Sequence, residues 1–364
     1  MNAETTFVVT APFEAARHVD VFPVGHRSRN MHGHSFLATV YCDLPNGFSA
    51  YTGGEIDTIK ARFEPEVRKL DYGLLNDHID SPTDENIARW INTHCCIPGT
   101  QAIAVQSTND EGLQVDNSGQ THVWRRYHFQ AAHQLPNVAP DHKCGNMHGH
   151  GFAVVLHASH NAGDGDLSID YDHIDTRWAP VFEELDHACL NEIDGLRNPT
   201  SELISRWIWD KVKPGFAELS SVTVYETASC GASYDGSNFQ IWKEFTLDSA
   251  VRFEHAPEGN KRRLTHGYTY TLRLHLSAPL DQIMGWAVDF GDVKEIFNPT
   301  FNLIDHKLLN EIPDLVDCDP SSIAHWIFKR AVKELPDIYR VDLFETMGCG
   351  VIVSSGQAGP RLPL

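Results

Sequence analysis

A chain built from copies of one unit can fold only into architectures that repeat, and this sequence carries three copies. The segment NMHGHSF (30–36) returns as NMHGHGF (146–152) and, degraded, as THGYTY (265–270). The HG pairs begin at His32, His148 and His266, which are 116 and 118 residues apart. A second marker follows each: LDYGLLN, LDHACLN and IDHKLLN start at 70, 185 and 304, spaced by 115 and 119. A third marker, AIAVQST (102–108), SVTVYET (221–227) and RVDLFET (340–346), reads as a strand near the end of each copy. Three markers in one order at near-constant spacing define tandem units, here 5–110, 122–238 and 243–356. The polar stretch NDEGLQVDNSGQ (109–120) reads as the first linker.

Each unit has the same predicted grammar. Strands rich in aromatic and β-branched residues come first, such as VWRRYHFQAAH and GFAVVLHAS. Two helices follow. Over 172–190 the apolar residues Ile174, Trp178, Phe182 and Leu185 recur at helical spacing. Over 200–212 Leu203, Ile204, Trp207 and Ile208 share a face, with Asn198-Pro199-Thr200 as the start signal. Strands close the unit. The order ββααββ predicts an α+β unit, an antiparallel sheet with two helices on one face.

The HxH pair is the chemical signal. On a strand, residues i and i+2 point to one face, so His148 and His150 project together. FQAAH ends at His133, on the preceding predicted strand, and a hairpin can bring it beside the pair. Three imidazoles suit a catalytic zinc, which keeps a fourth position open. The repeats act as an internal control. The His133 position is Arg17 in unit one and Val251 in unit three; the His150 position is His34 and Tyr268; the Cys144 position is Ser28 and Arg262. The middle unit alone has the full set, which predicts one zinc per chain. His18 falls one residue out of register and should face the other way unless a bulge intervenes.

Three further groups are candidates. Cys144, four residues before His148, would gain thiolate character beside a zinc and could act as base or nucleophile. Asp186-His187 pairs an acid with an imidazole, a proton-relay arrangement. Glu226 ends a strand and could accept hydrogen bonds from an amidine-like ring edge. Asp305-His306 and Glu345 repeat the last two in unit three, whereas unit one has Asp71-Tyr72 and Ser107. That pattern suits a shared site, with zinc and Cys144 from unit two and some remaining groups from unit three.

The net charge of −20 argues against nucleic acid or an anionic membrane surface as partner. No apolar run approaches the roughly 20 residues of a membrane-spanning helix. The eight cysteines show no CxxC pair, and MNAETTFVVT lacks the basic and apolar regions of a signal peptide. The expectation is a cytoplasmic protein with free thiols.

Together FQAAHQLP, HKCGNMHGHGF, LDHACLN, NPTSELISRWIWDKVKP and VYETASCGASY resemble the 6-pyruvoyltetrahydropterin synthase / 6-carboxytetrahydropterin synthase family. The close match covers the middle third of the chain; the outer units resemble it through spacing and partial motifs. The three-residue gap between Cys144 and His148 is similar to that of the bacterial 6-carboxytetrahydropterin synthases of queuosine biosynthesis. The resemblance implies the T-fold (tunnelling fold), in which three units close a barrel and two rings stack. Here it implies an intrachain pseudo-trimer, forming a homodimer that resembles a hexamer. It implies that His133, His148 and His150 bind Zn2+, that Cys144 accepts a proton, that Asp186 and His187 relay it, and that Glu226 anchors a pterin. His306 and Glu345 are the equivalent relay and anchor of unit three. The implied substrate is 7,8-dihydroneopterin triphosphate, which loses triphosphate and, in the carboxy-forming branch, acetaldehyde; Lys143, Lys261, Arg262 and Arg263 are the candidate contacts for its phosphates. A 6-pyruvoyltetrahydropterin synthase, a non-catalytic pterin binder and a structural zinc protein remain as alternatives.

Overall fold

The computed structural model describes residues 3–139, 141–161, 165–280 and 290–356. Unit one runs β1 (Glu4–Arg17), β2 (His32–Cys42), α1 (Glu55–Val67), β3 (Gly73–Leu74), α2 (Asp84–Cys95), β4 (Thr100–Thr108) and β5 (Glu111–Asp116). Unit two runs β6 (Gln120–His133), β7 (His148–Asn161), α3 (Tyr171–Leu185), β8 (Ala188–Cys189), α4 (Ser201–Val212), β9 (Leu219–Thr227) and β10 (Cys230–Tyr234). Unit three runs β11 (Phe239–Val251), β12 (His266–Leu276), α5 (Phe290–Ile304), α6 (Pro320–Glu334), β13 (Ile338–Thr346) and β14 (Cys349–Ser354). Four long strands per unit pair antiparallel into one sheet. β14 then pairs with β1, Glu4 opposite Ser354, and the sheet closes as a barrel. Closure leaves no long edge for another chain to extend.

Units join strand to strand, β5 to β6, β10 to β11 and β14 to β1. This corrects one expectation. Residues 111–116 are a strand, β5, and not linker. Its polar composition hides an alternation in which Leu113 is buried and Val115 packs against the core. The sequence reading also omits β3 and β8, two-residue strands that run parallel to β1 and β6.

Alternation along each strand fixes the layers. On β1, Val9, Ala11, Phe13 and Ala15 face the helical layer, while Val8 turns inward to meet Tyr41, Ala102, Phe344 and Ile352. The helices cover the outside. α3 is capped by the Asp170 carboxylate, which accepts from the Asp172 amide, and buries Ile174, Trp178, Val181 and Leu185. Val181 joins that face, and Phe182 packs half-buried against the core. α4 starts at the predicted cap, with Thr200 Oγ1 accepting from the Leu203 amide at 3.3 Å. It buries Ile204, Ser205, Trp207 and Ile208, and leaves Leu203 half-buried. No helix among the described residues is long and apolar enough to cross a membrane.

Candidate functional site at the junction of units two and three

The hairpin of β6 and β7 places His133 directly opposite His148. His150 follows two residues on, on the same face. Ring centroids lie 4.6 Å apart for His133 and His148, 5.1 Å for His133 and His150, and 4.9 Å for His148 and His150. Glu226, near the end of the adjacent β9, completes the cluster, and the four ligand atoms fall within 4.8 Å of one another. His133 Nδ1 donates to the Pro199 carbonyl at 2.9 Å, and His148 Nδ1 donates to the Asn146 carbonyl at 2.8 Å. Those bonds fix the tautomers and leave both Nε2 atoms as free lone-pair donors.

The group fits a metal. His133 Nε2 and His150 Nε2 are buried and have no hydrogen-bond partner, an arrangement that costs free energy unless something accepts their lone pairs. Burial holds both imidazoles below their ordinary pKa, against the opposing pull of Glu226. The rings are therefore neutral near pH 7, the form that ligates. Glu226 Oε1 stands 3.6 Å from His150 Nε2, and its Oε2 accepts from Ser201 Oγ at 2.7 Å.

Glu226 also links this cluster to a cavity of about 620 Å³. Cys144, Ser201, Glu202 and Glu226 line it from unit two; Phe290, Gly291 and Glu295, at the start of α5, line it from unit three. The site therefore spans two units. Cys144 sits in a short turn, its carbonyl accepting from the Leu135 amide at 2.8 Å. Cys230, a second thiol on the wall, is pushed up by burial and lies 3.1 Å from Thr227 Oγ1. The sequence reading missed Ser201 and Phe290.

The remaining candidates lie elsewhere. Asp186 Oδ2 holds His187 Nδ1 at 2.8 Å, and Asp305 Oδ2 holds His306 Nδ1 at 2.8 Å. Neither histidine lines the cavity; their side chains are 78% and 76% exposed. Both adopt a left-handed backbone, φ 57° and 55°, as does Tyr72 at the same place in unit one, φ 50°. Each is pinned by its amide to a first-strand carbonyl: Gln130, Asp248 and Glu14 respectively. The rings thus stand out from the barrel.

Glu345 is buried and bound by Arg262 at 2.8 Å, and Arg262 also grips Asp57 of unit one at 2.7 Å. The anchor position of unit three is thus occupied from within the chain. It belongs to the junction of units three and one and does not reach the Cys144 cavity. The same contacts remove Arg262 from the candidate phosphate contacts, and Arg263 Nη1 is spent on the Ala256 carbonyl. Lys143 does line the cavity. His18 Nδ1 lies 3.3 Å from Asp20 and joins no metal-like cluster among the described residues.

A family model described as 6-pyruvoyl tetrahydropterin synthase matches residues 6–107, 122–237 and 240–355. A 6-carboxy-5,6,7,8-tetrahydropterin synthase of Synechocystis sp. is 33% identical over 119 residues, 31% of this chain and 91% of that protein. Among solved structures, the 6-pyruvoyl tetrahydropterin synthase of Caenorhabditis elegans aligns with a TM-score of 0.30 and 22% identity, covering 32% of this chain and 96% of that one. A uricase from Bacillus fastidious aligns with a TM-score of 0.34 and 12% identity, covering 60% of this chain and 81% of that one.

Proposed function

The chain belongs to the 6-pyruvoyl tetrahydropterin synthase family, and from that premise we propose a zinc-dependent lyase that makes 6-carboxy-5,6,7,8-tetrahydropterin from 7,8-dihydroneopterin triphosphate, one site per chain. The observation that carries it is the cluster of His133, His148, His150 and Glu226, whose Glu226 also lines the Cys144 cavity. His133, His148 and His150 would hold the ion. Bound there, zinc supplies Lewis-acid polarisation of the substrate side chain.

The protein's own groups do the rest. Glu226, oriented by Ser201, offers a carboxylate to the amidine edge of the ring. Phe290 and the start of α5 wall the ring in from unit three. Cys144 takes the side-chain proton. One of the exposed pairs, Asp186–His187 or Asp305–His306, returns a proton. Because both stand out from the barrel, this reading places the relay pair on a second ring, stacked as a homodimer of pseudo-trimers. Lys143 meets the triphosphate at the mouth. The family also contains enzymes that stop at the 6-pyruvoyl product, and the family model carries that name. Incubation of purified, zinc-loaded protein with dihydroneopterin triphosphate, with products identified by mass spectrometry, tests the reading. 6-Carboxytetrahydropterin with acetaldehyde supports it; the pyruvoyl compound moves the protein to the other branch; unchanged substrate leaves a binding protein.

A further inference from the structure

The junction of units one and two repeats the backbone frame of the His133–His148–His150 junction, with Arg17 at the His133 position, Ser28 at the Cys144 position and Ser107 at the Glu226 position. Arg17 faces His32 across β1 and β2 as His133 faces His148. His32 and His34 keep the geometry of the pair, with centroids 5.1 Å apart at 89°, against 4.9 Å and 82° for His148 and His150. The guanidinium lies 5.1 Å over Phe36, where the His133 ring lies 5.4 Å from Phe152. A cation fixed to the chain thus stands where the middle unit gathers metal ligands. Beside it is a cavity of about 530 Å³ between the two units.

Arg17 is 7% exposed and only half used. Nη1 donates to Asp84 Oδ1 at 2.6 Å and to the Pro82 carbonyl at 2.9 Å. Nε is buried without a partner, and Nη2 makes no hydrogen bond among the described residues. The Nε/Nη2 edge is a planar fork, matched to the two oxygens of a carboxylate. Most acids around the cavity are already taken: Asp84 by Arg17, Ser107 and Tyr171; Glu85 by Ser168; Glu111 by Arg125; Asp172 by Arg27 and His26; Asp170 by the Asp172 amide; the half-exposed Asp110 faces His128 at 3.8 Å. The unmet demand is for an acceptor. Apolar walls from Phe22, Leu113 and Ile169 suit a ring. Ser107 replaces Glu226 here, so an amidine edge finds no anchor.

We propose that this junction is a second ligand site, which takes a small planar carboxylate on the free Nε/Nη2 edge of Arg17 and performs no chemistry. The inference is independent of the activity proposed for the zinc junction, because its readout is binding. The probe is 2-naphthoate, titrated calorimetrically into zinc-loaded full-length protein and into the same protein after chelation. One site per chain is expected in both, with 2-naphthamide, the same ring without the charge, binding at least about tenfold more weakly. Arg17→Lys keeps a charge for Asp84 but has no fork, and should weaken binding about tenfold or more at unchanged zinc content. Ser28→Phe fills the cavity from the turn that precedes β2 and should abolish it, which decides the matter if Arg17→Lys is poorly folded. Absence of binding, binding indifferent to both substitutions, or binding that disappears with the zinc overturns the proposal.

Discussion

The two junctions of unit two hold the same pair of groups in opposite order. Between units two and three the helix start gives Ser201 and the strand gives Glu226, joined by a 2.7 Å hydrogen bond. Between units one and two the helix start gives Asp84 and the strand gives Ser107, joined at 3.0 Å. In the first case the acid faces three imidazoles. In the second it is consumed by Arg17 at 2.6 Å. The third junction reaches the same end differently: Glu345 stays on the strand, and Arg262 arrives from the cysteine position. A buried carboxylate must be paired. A metal cluster can supply the counter-charge, or an arginine can, and under the proposed function that choice separates the reactive junction from the inert ones.

The most damaging way to test that division is to remove a metal ligand. His150→Ala should shed the zinc and lower turnover by more than about 1,000-fold, since a Lewis acid contributes several kcal/mol. His34→Ala, the same change at the Arg17 junction, should leave about one zinc per chain and near-normal turnover. Elemental analysis beside product formation reads both. A second zinc in the native chain, or a zinc loss in His34→Ala, would break the division.

Next in size is the inert junction. Arg262→Met strands Glu345, whose side chain is 2% exposed, and should cost about 3–5 kcal/mol of stability. Zinc content and turnover per folded molecule should hold. Adding Glu345→Leu should restore most of the loss, because the penalty comes from the orphaned charge. Denaturant midpoints of the single and double variants check this. A mild single variant would mean that Arg262 does not lock units three and one together.

Cys144→Ala sharpens the reactive side. It should keep zinc and fold and lose about 100-fold in turnover, the usual cost of a positioned acid–base group. The relay histidines follow, at about 100-fold or less, since water reaches both. Unit three has no zinc set of its own, yet holds Asp305–His306 in the same geometry as Asp186–His187, so His306 of the second ring is expected to serve the unit-two site. His306→Ala should therefore slow turnover, with His187→Ala the milder change. The reverse outcome assigns the relay to unit two and leaves unit three as a wall.

Sequence alone carries the repeat, the HxH face and the missing ligands Arg17 and Val251, because each is a matter of spacing or residue type. It does not show β5, whose alternation is buried in a polar stretch. It does not show that Arg262 meets Asp57, which lies 205 positions away and carries no local mark. The acid–serine exchange is equally silent, since Asp84 reads as an ordinary helix-start acid and Ser107 as a lost glutamate. His187 and His306 are legible as residues, but their left-handed backbone and outward stance follow from amide bonds to the first strand of each unit.

The smallest predicted effect tests that exchange directly. Ser201 Oγ holds one oxygen of Glu226 and leaves the other toward His150. Without it the carboxylate stays in place but gains rotational freedom. A single such hydrogen bond contributes about 0.5–1.5 kcal/mol, so Ser201→Ala should raise KM roughly two- to tenfold, with kcat and zinc content little changed. The double variant Ser201→Asp/Glu226→Ser imports the order of unit one. It keeps an acid and a hydroxyl 25 positions apart, but moves the charge from strand to helix. Zinc should persist on His133, His148 and His150, while saturation by substrate is lost. If the double variant works as well as Ser201→Ala, the position of the acid does not matter, and the contrast between the two junctions rests on Arg17 alone.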